Sequence, residues 1–207
     1  TAGDDLSVSN STVVGTAVLR AADALTMDTL NVGADLSANG ASVTQTGTLA
    51  VTGAATLGST GAMTLAAVTA GSLAASAGNG LGVAGATVSN RAELDAGTGV
   101  LAVNDLAAGS LSAGGNGIAQ SGSLVIAGDA ALDAGSGTLT VNNVDVGGNV
   151  TASGASITQT GSMAVDGAAT LTSAGSILVT DATLGSLDAT AGDDLSVSNS
   201  TVVGTAV

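Results

Sequence analysis

Of the residue types that do chemistry, this chain keeps only the carboxylates in quantity. It has sixteen acids and two basic residues, Arg20 and Arg91, with no His, Cys, Lys or Tyr. The usual general bases, thiol nucleophiles and proton shuttles are therefore missing, and the many serines lack a partner base. Paired carboxylates are the one catalytic arrangement left. The best pair is Asp95 in ELDAG and Asp133 in ALDAG, 38 residues apart. On the coil inferred below they fall two turns apart, about 9–10 Å. Retaining glycosidases need about 5 Å between carboxyls and inverting ones about 6.5–9.5 Å. Nothing obvious fills the turn between the two, so they read as acids on a solvated turn. No catalytic residue is expected, and the chain is read as not an enzyme.

Metal and ligand readings are equally thin. Asp4-Asp5 and Asp193-Asp194 are adjacent acids in two copies of AGDDL. Calcium takes about six to eight oxygens, and the repeat GGxGxDxUx that binds it is absent. GGNGIAQSG, 114–122, starts like one and then lacks the Asp. These acids read as negative surface charge, with loose cation bridging as the alternative. GNGLGVAG, 78–85, looks like a phosphate loop but lacks the Lys and the following helix. No metal and no cofactor is expected. Gln45, Gln120 and Gln159 share the contexts TQTG, AQSG and TQTG. Alternation from Val43, Ile118 and Ile157 points each amide inward near a turn, where it must be hydrogen-bonded. They read as caps on turn backbone. Thr44 and Thr46 form a Thr-x-Thr pair of the kind that lines flat ice-binding faces, but the pair does not recur in successive turns. Arg20 and Arg91 have Asp23 and Glu93 nearby as ion-pair partners.

The elements that carry these residues must be narrow. The 207 residues include 32 Gly and no Pro, Trp or Phe, and 45% are hydrophobic. A core without aromatic area must be filled by Leu, Val, Ile, Met and Ala, which suits a thin interior. The hydropathy is too high for ordinary disorder. The net charge of −14 excludes phosphate-backbone binding, which needs clustered Lys and Arg, and disfavours anionic membranes. No apolar run approaches the roughly 18 residues of a membrane-spanning helix. No signal peptide is visible.

Repeats fix the architecture. Residues 25–57 match 139–171 without a gap, an offset of 114. AELDAGTGVLAVN, 92–104, recurs as AALDAGSGTLTVN, 130–142, an offset of 38. IAQSGSL, 118–124, recurs one residue late as ITQTGSM, 157–163. Each 38-residue unit splits into two weaker halves of about 19 residues. Apolar residues alternate over short runs such as LAVTG and TLTVNNVDV, a strand signal. Gly, Asn, Asp and Ser between them supply turns. A coil of this size with two or three short strands is one turn of a parallel β-helix. About eleven coils at the usual strand spacing make a rod of roughly 50 Å. Identical positions would stack into internal ladders of Leu, Val and Ala.

GSLAASAGNGLGVAG, 71–85, AELDAGTGVLAVN and the 19-residue spacing resemble the haemagglutinin-type repeats of the filamentous haemagglutinin family. The resemblance spans essentially the whole chain. It implies a right-handed parallel β-helix in large secreted bacterial exoproteins that act as adhesins, biofilm matrix proteins or toxin-delivery stalks, often exported by a two-partner route.

The expectation is one continuous all-β solenoid over 1–207, with no α-helix. TAGDDLSVSNSTVVGTAV opens the chain at 1–18 and closes it at 190–207. Residues 1–189 then form one long repeat and 190–207 begin the next copy, as a piece of a larger protein. The expected function is the shaft of a giant secreted bacterial adhesin or matrix filament. It would meet a host-surface or matrix component through a distal region, with no nucleic-acid partner and no membrane insertion. A self-assembling filament or sheath is the alternative, and a polysaccharide-active β-helix enzyme a distant third. A shaft should show acid-dotted faces all round. Lateral assembly should show a flat face of small residues stacked over many coils. An enzyme should show a groove with three or more carboxylates within about 6 Å.

Overall fold

A computed structural model describes residues 1–207. All 22 strands belong to one parallel sheet, and the chain contains no helix. Each coil visits three faces, and strands of the inner coils pair with the equivalent strands one coil before and one coil after. On the first face the stacked column runs Leu6, Leu25, Val43, Met63, Leu81, Leu101, Ile118, Leu139, Ile157, Ile177, Leu195. We number coils 1 to 11 by these residues. The fold is the expected parallel β-solenoid, about 19 residues per coil. The eleven stacked strands are separated by ten turns, which at about 4.8 Å each give a rod about 48 Å long.

Alternation decides which side chains enter the tube. Leu25 and Met27 are buried on either side of exposed Thr26, and Leu36 and Ala38 flank Ser37. The interior is aliphatic, as a chain without aromatic rings requires, except for Gln45, Gln120, Gln159 and Ser173 at its corners. An enclosed apolar void of about 20 Å³ near Val141, Ile157 and Met163 has room for about one water at most. No ligand chamber opens inside.

The third face departs from the expected like-on-like ladders. Its two inward positions read Ala17 and Leu19 in coil 1, Leu36 and Ala38 in coil 2, then Ala55 and Leu57. The swap continues through Leu73 and Ala75, Ala92 and Leu94, Leu111 and Ala113, Ala130 and Leu132. Val150 stands for Leu in coil 8, and the pattern resumes to Leu187. Each Leu therefore lies over an Ala. A column of Leu alone would crowd at strand spacing and a column of Ala alone would leave voids, and both cost stability. Alternating them keeps the volume of every coil constant. The consequence is a two-coil period, which is why the sequence matches itself best at 38 and at 114 residues, two coils and six.

Candidate functional site

The corners between faces hold most of the polar chemistry. The corner from first to second face is one residue longer in coils 3, 7 and 9, where Val43 to Leu49, Ile118 to Leu124 and Ile157 to Met163 replace steps such as Leu101 to Leu106. These are the three coils that contain Gln45, Gln120 and Gln159. The extra residue breaks the ladder to the coil above, where pairing stops at Thr44 with Thr64, Ala119 with Thr140 and Thr158 with Leu178. The next backbone N–H groups are orphaned, and the amides take them. Ala66, Asn142 and Thr180 each donate to the Oε1 of Gln45, Gln120 and Gln159 at 2.7 Å. Each Nε2 donates in turn to a carbonyl of its own corner, at Gly47, Gly122 and Gly161. The three side chains are 0%, 5% and 1% exposed. The expected role as corner caps is what the geometry shows.

Asp95 and Asp133 do share a column, with Gly114 between them. Their corners are long, and the corner between is a short run of glycines. The result is a polar groove of about 430 Å³ lined by Asp95, Thr98, Asn116 and Asp133. Each carboxylate is engaged in its own turn: Asp95 Oδ1 accepts from Gly97 N–H at 2.9 Å and Asp133 Oδ1 from Gly135 N–H at 3.0 Å. Ser153 Oγ also donates to Asp133 Oδ1. The column spacing holds the two acids two coils apart, and the groove brings in no third carboxylate.

A role that sequence reasoning missed belongs to other acids. Asp5, Asp35, Asp105 and Asp129 accept backbone N–H bonds from Ala24, Ala54, Ser123 and Asn149, one coil further on. Asn149 continues the chain of caps to Ala168. The acids are thus coil-to-coil staples as well as surface charge. Their spacing of one coil from a corner residue is the signal that would have found them. Asp4-Asp5 and Asp193-Asp194 sit in equivalent corners ten coils apart. Of the two arginines, Arg91 Nε lies 3.6 Å from Glu93 Oε2, while Arg20 has no ion-pair partner and does not meet Asp23. Both arginines sit on the third face, in coils 1 and 5.

The outward positions differ sharply between faces. The third face bears Asp35, Glu93, Asp95, Asp129, Asp133 and Asp188, whereas the outward column of the second is uncharged from Thr12 to Val125 and meets acids only at Asp145 and the flanking Asp166, in coils 8 and 9. The first face has no charged outward residue from coil 3 to coil 10. Its middle column is Thr44, Thr64, Gly82, Ala102, Ala119, Thr140, Thr158 and Leu178. On the first face the Thr-x-Thr pairs are Thr44 with Thr46, Thr138 with Thr140 and Thr158 with Thr160; the last two lie in successive coils, contrary to expectation, but are offset so that only Thr140 and Thr158 stack. Single threonines do stack, at Thr26, Thr44 and Thr64. Only the third face is acid-dotted along its length, as expected of a shaft, while the first face from coil 3 to coil 10 and the second face up to coil 7 present mostly small uncharged residues, as expected of a lateral contact.

A family model described as repeats of unknown function (DUF5649) matches residues 14–69 and 136–183. The chain belongs to this repeat family. The two DUF5649 segments carry coils 2–4 and 8–10 on the first face, and the unmatched stretch between them carries the Gly82–Ala102–Ala119 strip. No curated protein and no solved structure matches the chain.

Proposed function

We propose that this chain is a structural rod, a length of the shaft of a secreted bacterial adhesin or extracellular matrix filament. The observation that carries the reading is the unbroken stack of coils in which coil 11 repeats the residues of coil 1 in the same columns. Such a stack gives stiffness along its axis, and the number of coils sets its reach. The mechanism is mechanical and the chain is non-enzymatic: Asp95 and Asp133 are spent on their own turns and stand apart across Gly114. Recognition of a host-surface or matrix component belongs to a region outside these coils. The resemblance to haemagglutinin-type repeats supports an outer-surface location. So does the near-absence of Lys and Arg, which leaves few sites for trypsin-like proteases. The charge-free first face favours a second reading, a filament built by lateral contact.

Antibody raised against residues 1–207 tests the reading on intact cells of the source organism. Gold label on the outside of unpermeabilised cells is expected. Label that needs permeabilisation overturns the surface location.

A further inference from the structure

We infer that the first face is a self-association surface, on which a second copy of this chain packs antiparallel across coils 5–10. Charge comes first. The chain carries a net charge of −14, and two copies repel wherever acids face each other. Face-to-face sheets sit about 10 Å apart, close to the Debye length of about 8 Å at physiological salt. Repulsion between facing acids would therefore be felt, and acids on the far faces are screened. The first face brings none of them into contact.

Relief comes second. Gly82, Ala102 and Ala119 form the floor of a shallow groove of about 460 Å³ in coils 5–7. Thr140, Thr158 and Leu178 form a ridge in coils 8–10, and Leu178 is 36% exposed. A twofold axis along the strand direction between coils 7 and 8 sets each ridge in the other copy's groove. Leu178 then lies over Gly82, Thr158 over Ala102 and Thr140 over Ala119. The neighbouring column sets exposed Val100 against Ser156. The corner acids Asp105 and Asp181 meet the partner's corner glycines, Gly161 and Gly85. A parallel pair needs a twofold axis along the rod, which reverses the strands and sets each middle residue on itself, so that Gly82 faces Gly82 and Leu178 faces Leu178, floor on floor and ridge on ridge. Only a partner with the same strand spacing can mesh with this relief coil by coil, so the occupant is another copy.

Six coils by five strand residues is about 450 Å² per copy, below the roughly 800 Å² per partner of a standard stable interface. One block alone pairs weakly, and rods of several blocks would pair by summed contacts. This inference deepens the rod reading and rests on it for its use in the cell.

The chain has no cysteine, so cross-linking tests it cleanly. A G82C protein mixed with an L178C protein and treated with a short bis-maleimide, which spans the roughly 10 Å between packed sheets, should yield the mixed cross-linked dimer. The yield should be about tenfold above a mixture of L178C with A164C, whose cysteine lies exposed on the second face. An added Cβ at Gly82 meets nothing closer than 4.0 Å, and an A119C plus T140C mixture provides the same test at the axis. Adding A102D should abolish the excess. Equal yields in test and control mixtures, with β-type circular dichroism retained, overturn the lateral pairing and leave the rod intact. A wild-type chain without a β spectrum overturns the rod itself.

Discussion

Gln159 shows how much one side chain can hold in a fold with so little chemistry. Its amide closes a corner that is one residue too long, giving Thr180 N–H an acceptor and Gly161 carbonyl a donor. Leucine has nearly the same volume and would fill the space, but it would leave the Thr180 N–H buried without a partner. An unsatisfied buried group costs about 1–3 kcal/mol. Gln159→Leu should therefore lower the stability by about that amount, with Gln45→Leu and Gln120→Leu similar. Urea titration followed by far-UV circular dichroism measures it, since the chain has no Trp or Tyr for fluorescence. An unchanged midpoint would show that the longer corner relaxes by itself. The inward direction of these amides was legible from alternation alone. Their bonding partners were not, because Ala66, Asn142 and Thr180 lie more than twenty residues along the chain and meet them only once the coil register is known.

At the scale of one coil, the Leu and Ala exchange on the third face makes coils come in pairs. Removing residues 92–110 deletes one coil and would set Leu111 and Ala113 directly above Leu73 and Ala75. Leu would then crowd Leu, at about 1–3 kcal/mol. Ala would face Ala across a void, at a further cost of about the order seen for large-to-small core changes, 2–5 kcal/mol. Removing residues 92–129 deletes two coils and sets Ala130 and Leu132 there instead, which preserves the exchange. The shorter two-coil deletion should melt at the higher temperature, although it loses more structure. The reverse order in thermal circular dichroism would remove the packing argument. The sequence announced this period as its 38-residue offset, and strand alternation announced the coil. Neither revealed the cause of the doubling, because Leu and Ala score alike as apolar. Their difference in volume matters only when one stands above the other. The corner-stapling acids were hidden for a related reason: an Asp and the N–H it caps are adjacent in space and a full coil apart in sequence.

Across the whole molecule, the same rule bears on the match between 1–18 and 190–207. The match places coil 11 ten coils above coil 1, and ten is even. Leu187 accordingly sits beneath Ala206, as each Leu of this face sits beneath an Ala throughout the rod. A block of 189 residues can therefore follow another without a packing fault, whereas a block of nine or eleven coils would place Leu on Leu at each junction. A chain carrying residues 1–189 twice should fold as one rod of about 96 Å, twice the single-block length, and should melt above the single block because the coil interfaces add. Small-angle scattering gives the length and circular dichroism the melting point. The same tandem with one coil, residues 92–110, removed from the first copy should melt lower and earliest at the fault. If both tandems form rods of equal stability, volume complementarity does not govern how blocks join. If the first tandem scatters as two hinged rods, coil 11 does not act as coil 1 of a following block.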